Sequence, residues 1–111
     1  MMIDEIFNIN GITWKLSLVE PYSDKLKRSD GSYTVGMTDL RTKEVSIANN
    51  LFPDFQRKVL CHELVHCAMF SYHVYLTIEQ EELIADLIAT YGEEIIDKTN
   101  VIFERLRRKS A

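Results

Sequence analysis

Apolar and polar positions along the chain follow two periods, with the change near residue 50. Ile6, Phe7 and Ile9 precede Asn10-Gly11, a favoured type I′ turn pair, and Ile12, Trp14, Leu16 and Leu18 then alternate with Thr13, Lys15 and Ser17. This pattern predicts a β-hairpin with one inward face. From Glu20 to Ser32 it breaks into Pro21, several charges and Asp30-Gly31, which predicts an exposed loop. Lys25, Lys27 and Arg28 read there as solvated charges, with an anion site as the alternative. A second hairpin is expected, with strands near 33–38 and 44–48 and a turn at 39–43. Gly36 interrupts its first strand, as a bulge, a close approach of another segment, or a residue tolerated at an edge.

Past Asn49-Asn50 the spacing becomes helical. Pro53-Asp54 suits a helix start, and the helix should run from about 54 to 71. Phe55, Val59, Leu60, Leu64, Cys67 and Met69 or Phe70 place apolar groups round much of its circumference, as expected of a helix central to the core. Thr77-Ile78-Glu79-Gln80 matches a capping box and opens a second helix. Its stripe runs from Leu83 through Tyr91 and Ile95 to Leu106, with breaks allowed at Gly92 and at 97–100 and fraying expected from Arg105. The fold class expected is α+β: a small, largely antiparallel sheet of three or four strands, packed on one helix and a long C-terminal helix.

Composition narrows this picture without redirecting it. At 111 residues, 46% hydrophobic and 27% charged, the chain fits one globular domain over 1–111. A net charge of −4 gives no general attraction to nucleic acid or anionic lipid. The basic cluster Arg105, Arg107, Arg108 and Lys109 reads as a solvated helix end beside a favourable dipole. No run approaches a membrane span, and Met1-Met2-Ile3-Asp4-Glu5 lacks the character of a secretory signal. A cytoplasmic setting is expected, with both cysteines reduced.

The candidate chemistry lies within Cys61-His62-Glu63-Leu64-Val65-His66-Cys67. On a helix, His62 and His66 share one face, so two imidazoles can bind one Zn²⁺ while Glu63 reaches a water on that metal. Such a motif arises by chance in on the order of one in three hundred chains this long, so a third ligand matters. Position 72 is Tyr and position 69 is Met, which excludes a third histidine at metzincin spacing. A carboxylate must serve, and Glu82 returns to the metal if the second helix packs antiparallel to the first, with Asp86 then able to accept the outer N–H of a ligand histidine. Glu81, one residue away, is the rival ligand, otherwise a solvated charge like Glu79. Cys61 and Cys67 are displaced by about 100° from the neighbouring histidines and read as packed free thiols. His73 is read either as an oxyanion donor or as an ordinary loop histidine, and Tyr72, Tyr75 and Tyr91 share that ambiguity.

His62-Glu63-x-x-His66 followed by Glu82-x-x-Ala85-Asp86-x-x-Ala89 resembles the gluzincin zinc peptidases, most of all the small ImmA/IrrE-type metallopeptidases of bacteria and their mobile elements. The resemblance covers roughly residues 33–96. It implies His62, His66 and Glu82 as zinc ligands, Glu63 as general base and Asp86 as partner to a ligand histidine. It also implies a cytoplasmic enzyme directed at a repressor-type regulator of a phage or mobile element. The core of SprT-like proteases is similar too, but these use a third histidine where this chain has Glu81 and Glu82. The alternative is a zinc-stabilised module that binds a regulator without cutting it.

Overall fold

A computed structural model describes residues 4–110; part of the acidic N-terminal stretch, Met1–Ile3, and Ala111 lie outside the described residues. Asn10 and Gly11 adopt φ of 49° and 82°, the left-handed pair that a type I′ turn requires. They join β1 (Asp4–Ile9) to β2 (Ile12–Val19), with Phe7 opposite Trp14. Lys43, at φ 60°, helps turn β3 (Gly36–Asp39) into β4 (Glu44–Ala48). β3 is shorter than its pattern predicted, beginning at Gly36 instead of near Tyr33.

The fold is α+β, with a four-stranded sheet ordered β1-β2-β4-β3 and two helices. β1–β2 and β3–β4 are antiparallel, while β4 inserts beside β2 in parallel. A parallel neighbour needs a long crossover, and residues 20–35 lead the chain to the far edge before the hairpin returns. This crossover is not simply an exposed loop. Its 3-10 turn, Asp24–Leu26, buries Leu26 completely against Val19 and Ala48. By the alternation of side chains along the strands, that contact lies on the sheet face opposite Trp14, Val45 and Ile47. Both faces are thus covered, so β2 buries Ser17 and Val19 as well as Trp14.

Helix α1 (Pro53–Ser71) starts with a proline where no backbone N–H is needed. Phe52 occupies the cap position without a side-chain hydrogen bond, while Asp54 lies in the first turn beside the positive helix end. Val59 and Cys67, with Leu60 and Phe70, pack on Trp14, Val45 and Ile47. At the far end Trp14 Nε1–H donates to Ser71 Oγ at 3.0 Å, and Asn10 Nδ2 donates to the Ser71 carbonyl at 2.9 Å. These bonds fix the end of α1 to the first hairpin.

The expected capping box forms: the Gln80 amide donates to Thr77 Oγ1, and the Thr77 amide donates to Gln80 Oε1, each at 3.1 Å. Helix α2 (Ile78–Ser110) then runs unbroken through Gly92 and residues 97–100 and does not fray at Arg105. Thr99 Oγ1 donates to the Ile95 carbonyl within the helix, so its polarity is absorbed there. α2 packs on α1, but Ala85 is its only buried residue among those described. Its apolar stripe therefore does not join the core along its length. α2 has 33 residues against 19 in α1, so at 1.5 Å per residue it outruns its neighbour by about 21 Å. No helix of the described residues is long and apolar enough to cross a membrane.

Gly36 is explained by close approach: a Cβ there would lie 2.6 Å from Val59 Cγ1 and 3.2 Å from Glu63 Oε2. Gly36→Ala should therefore force β3 and α1 apart and cost about 1–3 kcal/mol in chemical denaturation. Val59→Ala in the same chain should recover part of that loss; no recovery would place the strain elsewhere.

Candidate metal centre

Helical spacing sets His62 and His66 one turn apart on the side of α1 that faces α2. Ala85, fully buried in that contact, lets the two helices approach closely. Glu82 then spans both imidazoles, with Oε2 at 3.1 Å from His62 Nε2 and Oε1 at 3.0 Å from His66 Nε2. The two Nε2 atoms are 3.2 Å apart. His62, His66 and Glu82 thus form a group that can hold a metal ion.

The remaining ring nitrogens decide the protonation pattern. His62 Nδ1 lies 2.9 Å from Asp86 Oδ1, and His66 Nδ1 lies 2.6 Å from Glu81 Oε1. With each carboxylate accepting the Nδ1 proton of its histidine, both Nε2 atoms would direct lone pairs inward. Two lone pairs and a carboxylate then converge with no proton donor between them. Such a donor set could hold a cation. Bonds of 2.0–2.1 Å at a tetrahedral angle would separate ligand atoms by about 3.3 Å, close to the spacing present.

Asp86 takes the orienting position expected for it. Glu81 is neither the metal-facing carboxylate nor a solvated charge, because it orients His66 as Asp86 orients His62. Of the two glutamates, Glu82 belongs to the group that could hold a metal ion, and Glu81 lies against the outer nitrogen of His66. Glu79 is exposed.

Glu63 lies in the seam between α1 and β3, where it lines the same clefts as His62 and Glu82, and is 7% exposed. Thr38 Oγ1 donates to Glu63 Oε1 at 2.9 Å, leaving Oε2 beside the space kept open by Gly36. Burial pushes the Glu63 carboxyl above the usual carboxylate range, and the Thr38 hydrogen bond and the two nearby histidines pull it partly back. A raised carboxyl is a stronger base than a solvated one. Thr38 could not be singled out from sequence; only its inward position on an edge strand gave a signal.

Two adjoining clefts of about 270 and 360 Å³ share Arg28, Thr34, Gly36, His62, Glu63 and Glu82 as lining residues. One continues past Thr38 and Leu40, the other past Phe55 and Lys58, so a groove leads away from the site in two directions. Arg28 is therefore a cleft residue as well as a loop charge, and among the described residues it forms no salt bridge.

The other candidates fall away from the site. Cys67 is fully buried and Cys61 half-buried, both as free thiols. Burial pushes the Cys67 thiol up to about 12, which keeps it protonated and inert. His73, Tyr72, Tyr75 and Tyr91 line neither cleft. His73 ends α1 instead: at φ 57° it donates its amide to the Phe70 carbonyl, while Val74 donates to Met69.

No protein-family model, curated protein or solved structure matches the chain. The fold and the site together define a small α+β domain carrying a group of two histidines and one carboxylate that could hold a metal ion.

Two outcomes follow from this geometry. In competition with a chelating dye, His62→Ala and Glu82→Ala should abolish stoichiometric metal binding, whereas Glu81→Gln and Asp86→Asn should weaken it about 10- to 100-fold. Equal affinity in the Glu81 and wild-type proteins would remove Glu81 from the site. His73→Gly should leave metal binding unchanged and stabilise the fold by roughly 0.5–1 kcal/mol, since relief of left-handed strain exceeds the added chain entropy. Lost metal binding in that variant would contradict its placement as a helix stop.

Proposed function

We propose that the chain is a zinc-dependent endopeptidase, with His62, His66 and Glu82 holding the metal and Glu63 acting as general base. The observation that carries this reading is the buried Glu63 carboxylate, fixed by Thr38 and set beside the three-acceptor group. Two imidazoles and a carboxylate at near-tetrahedral spacing suit Zn²⁺ and leave a fourth position open. When bound there, zinc supplies a Lewis acid that polarises a carbonyl and makes water acidic near neutral pH.

The chain's own residues account for the rest. β3 is an edge strand, and an extended peptide can add to its free side, running along the groove past Arg28 and Thr34. Thr38 holds Glu63 Oε1, so Oε2 is the oxygen that takes the proton of the attacking water. Glu63 then passes that proton to the leaving amine. The new C–O bond replaces the C–N bond, and one water is consumed. Asp86 and Glu81 keep the two imidazoles in the tautomer that binds metal.

Following the resemblance drawn from the sequence, the substrate is a repressor-type regulator of a phage or mobile element, met in the cytoplasm. A zinc-stabilised module that binds without cutting would not need Glu63, and burying a carboxylate without use is costly. That favours hydrolysis over binding alone.

Glu63→Gln should retain zinc at one equivalent and lose cleavage of a repressor-type regulator offered as substrate by at least about 100-fold. Fragment analysis by mass spectrometry reads the result. Undiminished cleavage by the variant would sink the mechanism. An intact regulator in a stable complex with zinc-loaded wild-type protein would establish the binding module instead.

A further inference from the structure

The largest feature that the metal centre leaves unused is the outer face of α2. Tyr91, Ile95, Ile102 and Leu106 are 54%, 55%, 52% and 58% exposed, and they follow one another along a single helical stripe. Ile95, Ile102 and Leu106 also line a shallow apolar groove with Phe103. Ala85 and Glu93 contact the body from another side of the helix, through α1, so among the described residues this stripe has no partner. Contiguous exposed apolar surface of this kind marks an interaction site.

Charge identifies the occupant. Between 79 and 97 the helix carries seven acidic side chains and no basic one; between 98 and 110 it carries five basic and one acidic. A helix so divided is complementary to itself when reversed. We infer that α2 is the dimerisation element of this protein, pairing antiparallel with α2 of a second copy about a two-fold axis between Lys98 and Thr99. That axis sets Tyr91 against Leu106 and Ile95 against Ile102, each pair occurring twice as two-fold symmetry demands. Glu94, Lys98 and Arg105 lie along one edge of the stripe, spaced four and seven residues apart. In the reversed pair Glu94 of one copy comes beside Arg105 of the other. A parallel pair would set Arg105 against its own copy, which repels, whereas Lys98, next to the axis, meets its own copy in either arrangement. The axis lies sixteen residues beyond Glu82, about 24 Å along the helix, so the dimer forms without using the metal ligands.

Sedimentation velocity of the purified full chain tests this. A species of twice the 12.9 kDa chain mass is expected, with dissociation in the micromolar range suited to a single helix seam. Ile95→Asp with Ile102→Asp should yield a monomer that keeps its far-ultraviolet helix signal and its metal binding. Arg105→Glu should weaken the dimer about tenfold, and adding Glu94→Lys to the same chain should restore it, because both contacts are then reversed. A wild-type monomer throughout the micromolar range would overturn the proposal. So would a dimer indifferent to Ile95 and Ile102, and failure of the charge swap to rescue would overturn the antiparallel register.

Discussion

Burial of the Glu63 carboxylate between α1 and β3 is the constraint on which the site depends. A carboxylate there is stable only if it is hydrogen-bonded, and Thr38 provides that bond from the inward face of an edge strand. The same seam demands that β3 approach α1 more closely than a side chain at position 36 would allow. Glycine meets the demand. The end of α1 is held as firmly, through Trp14 and Asn10 on Ser71, so the helix bearing the two histidines is fixed at the strand edge and at its terminus.

The metal group follows from how α2 docks on that fixed helix. Burial of Ala85 sets the closeness of the pair, and the four-residue spacing repeats on both partners: His62 and His66 on one, Glu82 and Asp86 on the other. Glu81 enters from the adjoining position and gives His66 the support that Asp86 gives His62. Both Nδ1 protons are thereby engaged outward. What remains inside is a cluster of acceptors that a cation would stabilise.

Two segments proved more than they first suggested. The crossover over 20–35 covers the second face of the sheet with Leu26 and brings Arg28 to the cleft, so one stretch serves both stability and the site. α2 serves the site with its first turns and then projects. Its distal half is amphipathic and, among the described residues, without an intramolecular partner, which makes it a surface instead of a core element.

Element types were legible in the residues alone, because turn chemistry, capping residues and apolar spacing are local. Asn10-Gly11, Pro53 and the Thr77–Gln80 box each acted as their chemistry required, and His62, Glu63 and His66 were legible because four-residue spacing defines a helix face. Tertiary structure alone decided what lies across a gap. It set Glu82 across both Nε2 atoms with Glu81 behind His66, found Thr38 for Glu63, made Gly36 a point of contact, and placed His73 at a helix end. It also laid β4 parallel to β2 and left the stripe of α2 uncovered, since whether an apolar face is buried depends on the length of the neighbour that could cover it. The motif between Cys61 and Cys67 names half of the site, and the other half exists only where a second helix, distant in sequence, is packed against the first.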